Sequence, residues 1–423
     1  MYLALLLVLS CKKPDTTPPD VNLEIPSSSL TAYNYGESIF IRFSASDETE
    51  LAKYVVQLVD INRRIVAGSG FIDLEGKEKT VTTSLDLVDR HLPSDDYSLE
   101  ILVEDRNGNR GIAFTTVRYY ELPLAREALF VVRQSSNTTV IDSLSTTGWM
   151  MAAALDVDAA VAFGGSYHQH LVVGGNSVPA CFFYQVPELL GIGGFSGQNP
   201  LGGQFVSDIV FDFNRKSYFV SFFDGWIREF SGSGGIKNAF QVTPGFEPQK
   251  LHVSNGELIC ELVSPNGQSR VLSKYNISSG TLLDASAISF DVISFVETSN
   301  NLYAIGNSGS ESKVAAVFEN MTSQIQDLLV ESTQIRDVAE LSNGWVALAH
   351  SNGVVLQKLG EAVFFPGSTN SFSAIDLDFD TTTNTCFALS ASNQLVSISP
   401  TGNIVNTIET GPDTQRVVVL LNK

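Results

Sequence analysis

Lysine and arginine are scarce in this 423-residue chain, 26 against 46 aspartates and glutamates, for a formal net charge of −20. The imbalance is spread out: residues 20–121 carry 18 acidic and 10 basic side chains, residues 122–423 carry 27 and 14. No basic stripe interrupts it, which excludes nucleic acid as a partner, since phosphate binding needs clustered cations. Charge of both signs together is only 17%, below the roughly 25% of ordinary soluble domains. Phe, Val, Ser, Thr, Asn and Gly fill the difference, a composition of strands and tight turns rather than helices.

Cysteine is nearly absent. Cys181, Cys260 and Cys386 sit in apolar runs, about 80 and about 125 residues apart, which is neither a zinc spacing nor a disulfide framework. They read as small buried hydrophobes. The five histidines (His91, His168, His170, His252, His350) fall in no nucleophile–base motif, and no Gly-x-Ser-x-Gly elbow exists. "HQH" sets His168 and His170 on one strand face with no third ligand nearby. The glycine-rich "GIGGFSGQNPLGG" (191–203) lacks the Gly-Lys-Ser/Thr ending of a phosphate loop, and reads as a flap between two repeats. No apolar run reaches the roughly 20 residues of a membrane-spanning helix.

What is present begins with "YLALLLVLS", apolar for nine residues and closed by Cys11. "VLSC" resembles the bacterial lipobox, without basic residues ahead of it. The resemblance implies a signal peptide over 1–10 and a lipidated Cys11 as the membrane anchor. Several acyl chains on one Cys suffice for stable anchoring. Residues 11–19 then form a solvated, proline-stiffened tether. Lys12, in place of Asp, directly after the anchor points to the outer membrane, with surface exposure open.

Residues 20–121 hold short alternating runs, "SIFIRFSAS" (38–46), "AKYVVQLVD", "KTVTTSLDL", "YSLEILVED" and "GIAFTTVRYY", separated by turn residues. About seven such strands in 100 residues is a sandwich pattern. With "DTTPPDVNLEIP", "FSASDETEL" and "LPSDDYSLEILVEDRNGNRG", the segment resembles the Ig-like or fibronectin-type domains behind the anchor of Bacteroidota-type lipoproteins. That implies a spacer or binding module. Asp47, Glu104, Asp105 and Asn107, with Glu48, Glu50 and Asn109 near them, would meet if two strands end at one edge. Such oxygens suit Ca²⁺, and equally serve as ordinary turn formers.

From residue 127 the chain repeats itself. Segments starting at 207, 249, 290, 335 and 373 each read strand, turn, strand, turn, strand, at intervals of about 38–45 residues, the period of a four-stranded blade. A looser copy starts at 157. "TQRVVVLLN" (414–422) reads as a first strand with nothing after it, and 127–145 as second and third strands with none before. Together they make a blade closed by both ends of 127–423, giving seven, and the region resembles a β-propeller. The expected fold is therefore all-β: an Ig-like sandwich followed by a seven-bladed propeller.

Lining up the first strands places Asp158, Asp208, Lys250, Asp291, Asp337 and Arg416 around a central channel. Trp226, after an Asp-Gly turn, and Trp345, after Asn-Gly, are candidates for stacking on sugar rings. The expectation is a binding or display protein that recognises a glycan, peptide or partner protein through one propeller face. Two alternatives stand beside it: a polysaccharide lyase or hydrolase using channel-mouth acids, and a structural subunit of an envelope complex. No cofactor beyond the possible Ca²⁺ is implied.

Overall fold

A computed structural model describes residues 15–24, 31–135, 138–146, 148–155, 159–165, 170–175, 180–186, 189–196, 206–298, 301–317, 323–327, 334–360, 364–365 and 372–422. The chain divides into two compact units, Met1–Pro123 and Leu124–Lys423.

The first unit is two sheets face to face. Ser38–Ser46 lies between Asp20–Leu23 and Glu78–Asp86. The second sheet runs Thr31–Asn34, Arg110–Tyr120, Asp95–Asp105, Leu51–Val59, Ile65–Gly68, its first pair parallel and the rest antiparallel. Alternation decides what is buried: Ile39, Ile41, Phe43 and Ala45 point inward and pack with Tyr54, Val56, Leu99 and Ile101. The Tyr97 hydroxyl donates to the Pro93 carbonyl at 2.9 Å, a tyrosine corner that pins the start of its strand.

The second unit contains seven four-stranded antiparallel sheets among the described residues, numbered with the one that holds Arg126–Ser135 as the first, so that Ala159–Gly165 opens the second and Ala374–Asp380 the seventh. Their first strands are Ala159–Gly165, Val206–Asp212, Glu247–Ser254, Asp291–Glu297, Ile335–Glu340, Ala374–Asp380 and Thr414–Leu421. The last of these pairs with Arg126–Ser135, followed outward by Thr138–Ser145 and Gly148–Leu155, so both ends of the unit build one sheet. Each first strand lies against the next, and Thr414–Leu421 also lies against Ala159–Gly165, closing the ring. Second strands are covered on both faces: Ser217–Phe222 is buried at every residue, whereas the outermost Ile404–Glu409 is almost wholly exposed. Two-sided burial is why second strands read as continuous apolar runs. Cys181, Cys260 and Cys386 are buried and free.

The expected flap at 191–203 needs correcting. Its first part belongs to Leu190–Ser196, the outermost strand of the second sheet, and 197–203 lie outside the described residues.

Closure is held by packing in both directions. Val418 and Leu420 join Leu171 and Val173 of the second sheet, while Val417 and Val419 join Phe387, Leu389 and Leu395 of the seventh. Four buried aliphatic side chains at about 1.5–3 kcal/mol each rival the whole stability of an ordinary domain. A chain ending at Gly411 is therefore expected to lose the cooperative melt of this unit, read by circular dichroism.

Candidate functional site

Every first strand of the ring carries one β-bulge near its start: at Ala160, Ser207, Gln249–Lys250, Ile293, Arg336, Ile375 and Gln415. The bulge, rather than the start of the apolar run, sets the register. The residue after it is Asp208, Ser294, Asp337, Asp376 and Arg416 in the third, fifth, sixth, seventh and first sheets, and in the fourth the second bulge residue, Lys250, takes that place. A cavity of about 500 Å³ is lined by Asp208, Lys250, Ser294, Asp337 and Arg416.

Four of the six expected ring residues thus come together. Asp291 does not: it lies three residues before its sheet's ring position, is half-exposed, and pairs with Arg270 at 2.6 Å. Asp158 lies outside the described residues. Asp376 went unrecognised, although "VSD", "IRD" and "AID" share one pattern, any residue at the bulge and Asp next.

The ring aspartates do one repeated job. The innermost strand of a sheet has an edge with no neighbour of its own to bond. Asp208 Oδ2 accepts from the Leu251 N–H at 2.9 Å, Asp337 Oδ2 from Leu377 at 2.7 Å, and Asp376 Oδ2 from Val417 at 2.7 Å. In each case the donor follows the ring position of the next sheet. Asp378 repeats the tie one step along, to the Val419 N–H at 2.7 Å. Where the ring residue is Lys250 or Ser294, a second-strand side chain substitutes. Glu261 Oε1 accepts from the Val292 N–H at 3.1 Å, and Asn307 accepts from the Ile335 N–H at 2.8 Å while donating to its carbonyl at 2.7 Å. Five consecutive joints of the ring are tied this way.

Two cations offset part of the acidic charge at the centre. Arg416 Nη1 lies 2.5 Å from Asp376 Oδ1, and Lys250 Nζ 3.9 Å from Asp208 Oδ1. Burial pushes the Asp208, Asp337 and Asp376 carboxyls up, opposed by these cations and the backbone donors. Burial takes Asp378 to about 7. Asp376 above all holds the Arg416 guanidinium protonated.

The two tryptophans differ. Links between second and third strands lie at one end of each sheet, and links between first and second, or third and fourth, at the other. Trp226 is at the former end. The Arg228 guanidinium stands 4.4 Å from the Phe222 ring centre and 6.0 Å from that of Trp226, and pairs with Asp224 at 2.6 Å, so this indole is part of an internal stack. Trp345 is at the other end, and lines a cleft of about 170 Å³ between the sixth and seventh sheets, with Leu356, Cys386 and Ile398 at its base and Phe379, Asn343 and Asn384 around it. Asn343 also lines a neighbouring cleft of about 590 Å³ with Glu297, Tyr303, Glu340 and Lys358. Glu297 is braced by His252 at 3.1 Å and Ser254 at 2.6 Å. Sequence reasoning had no signal for this second cleft, because its residues come from separate repeats.

In the first unit, Asp47 and Asp105 are joined by Asp15, which reading 11–19 only as tether overlooked; their carboxylates offer oxygens within 4.8 Å of one another. Glu104 is not among them. Neighbours along a strand face opposite ways, and Glu104 pairs with Lys53 and Arg110, each at 3.0 Å. Asn107 contributes its N–H to Asp105 Oδ1 at 2.8 Å. Asp47 Oδ2 is sealed from solvent with no hydrogen-bond partner. His168 lies outside the described residues, and His170 is buried with Nδ1 3.3 Å from the Tyr218 hydroxyl.

No protein-family model matches the chain, and no curated protein matches it. Solved structures do. AztD from Citrobacter koseri is 9% identical over 67% of this chain and 82% of its own, with a TM-score of 0.48. The β-propeller domain of Cps50 (Swd1) from Myceliophteria thermophila is 10% identical over 60% and 87%, at 0.46. BamB from Moraxella catarrhalis is 10% identical over 70% and 93%, at 0.43. At these values the likenesses carry no functional inference, and the ring rests on this chain's own strand order.

Two outcomes test the centre. Asp376→Ala strands the Arg416 charge and frees the Val417 N–H. It is expected to destabilise by about 3 kcal/mol, the low end for a broken buried pair because Arg416 is itself partly wet, measured by denaturant melts. Asp378 has an ordinary value of 3.8 unfolded and about 7 folded, so its contribution to stability is present below about pH 4 and lost as pH rises to about 7. Asp378→Asn should flatten that part of the melting-temperature profile; identical slopes would contradict the shift.

Proposed function

We propose that the chain is a lipid-anchored cell-envelope protein, held by Cys11. It carries an Ig-like sandwich followed in sequence by a seven-bladed β-propeller, and binds its partner through the propeller face that holds the Trp345 cleft. One observation carries the binding reading: the ring aspartates already tie neighbouring strands, while two open clefts of mixed chemistry meet at Asn343 on one face. Parallel pairing of Thr31–Asn34 with Arg110–Tyr120 and the Tyr97 corner support the Ig-like assignment. The sheet shared by both ends of the unit supports seven blades. A hydrolase or lyase needs two acids facing one bond; Asp208 and Asp337 both line the central cavity, but each already accepts a neighbouring strand's N–H, and Asp291 pairs with Arg270, which favours binding over that alternative.

The full chain carrying Cys11→Ser, screened by thermal shift against oligosaccharides and short peptides, tests the binding reading. A native-state ligand at 100 times its Kd adds about 2.7 kcal/mol, and Trp345→Ala should abolish the shift. A flat screen together with an empty pull-down would sink it. The anchor is tested separately: metabolic acyl labelling is expected on the wild type and lost in Cys11→Ser.

Calcium at Asp15, Asp47 and Asp105 is the second element of the proposal, supported by the sealed, unpartnered Asp47 Oδ2. Ca²⁺ is expected to raise the melting temperature over that in EDTA, and Asp47→Asn to remove the effect. No difference between Ca²⁺ and EDTA would leave these residues as turn formers.

A further inference from the structure

We propose that the two clefts meeting at Asn343 together receive an extended peptide segment of a partner protein, with a bulky apolar side chain in the Trp345 cleft and a Lys or Arg within two residues of it in the Glu297–Glu340 cleft. This rests on the binding reading above and names the partner's chemistry.

The Trp345 cleft selects against a sugar. Leu356, Cys386 and Ile398 in its lining are all buried. A sugar, with hydroxyls around its ring, would set some of those hydroxyls against these apolar groups beyond the reach of the few polar neighbours Ser342, Ser399, Asn343 and Asn384, which costs free energy. A leucine or aromatic side chain has no such group to strand. Its volume, about 170 Å³, holds one side chain, the form of anchor that dominates protein interfaces. Asn343 and Asn384 at the rim can hydrogen-bond the peptide backbone on either side.

The second cleft selects a cation. Glu297 and Glu340 line it, with Lys358 as its basic member. Glu297 is braced from behind by His252 and Ser254. Glu340 has no ion-pair partner among the described residues, and burial, reinforced by the Glu297 charge, raises its carboxyl. A Lys or Arg side chain relieves that repulsion, and a chain of net charge −20 favours approach of basic segments. Because Asn343 lines both clefts, the two positions adjoin. Extended residues are spaced about 3.3 Å apart, so one short segment reaches both.

The test uses the full chain carrying Cys11→Ser and saturation-transfer NMR. The probes are three capped tetrapeptides, Gly-Leu-Arg-Gly, Gly-Leu-Glu-Gly and Gly-Gly-Arg-Gly, with chitobiose as the sugar arm. Gly-Leu-Arg-Gly is expected to bind best. Trp345→Ala should weaken it by about 30-fold. Glu340→Gln should reduce the preference for Arg over Glu by about 2–5-fold without lowering the melting temperature. Trp345→Phe, which keeps an aromatic wall, guards against a misfolded alanine variant and should retain most of the affinity. Equal binding of the Arg and Glu peptides overturns the proposal. So does binding of chitobiose alone, or peptide binding insensitive to both Trp345→Phe and Trp345→Ala; each of those leaves the broader binding reading standing. Silence from every probe, together with an empty pull-down, ends both.

Discussion

A closed ring of sheets presents its innermost strands edge-on to a common centre, and the N–H groups on those edges have no strand to bond. Everything at the middle of the second unit follows from that deficit. A short acidic side chain placed directly after a bulge reaches the next strand's amide. Carboxylates are the strongest neutral-donor acceptors the chain has. Their charge, taken out of bulk water, then needs cations nearby, which Arg416 and Lys250 supply. A polar, charged channel is thus first a solution to a backbone problem.

That ordering bears on function. Charged residues converging in a cavity invite a catalytic reading, and burial does raise several of these carboxyls. Yet a general acid or base has to exchange its proton with a substrate, and these oxygens hold backbone donors and a guanidinium. The face carrying Trp345 has the opposite character. Its clefts are formed where chain links of adjacent sheets fail to fill the space between them, and their linings come from three sheets. Recognition there is compatible with a rigid ring behind it, as binding loops on a fixed scaffold generally are.

Much of this was legible in the sequence, for physical reasons. Two-sided burial of second strands writes itself as "YFVSF" and "LICELV", so the repeat shows; the first strand at Thr414–Leu421 shows because its sheet partners come from the other end of the unit. Register was less legible. Counting from the start of the apolar run put Asp291 in the ring, whereas the bulge at Ile293 gives that place to Ser294, and the same bulge logic brings in Asp376. Bulges leave only a faint trace, an extra residue of arbitrary type. Asp15 was hidden differently, inside a stretch whose composition speaks only of a tether. Trp226 and Trp345 look alike in sequence, each after a turn glycine, and only the direction of the link places them at opposite ends of the sheets.

The ring aspartates hold strand to strand. Hydrogen exchange at the Leu251, Leu377 and Val417 amides tests it most directly. The account predicts slow exchange at all three, with Asp208→Ala speeding only Leu251 among them while the melt stays cooperative. Fast exchange at these amides in the unaltered chain, or no local change on removing Asp208, would contradict it and return the carboxylates to the pool of free ligand-binding groups.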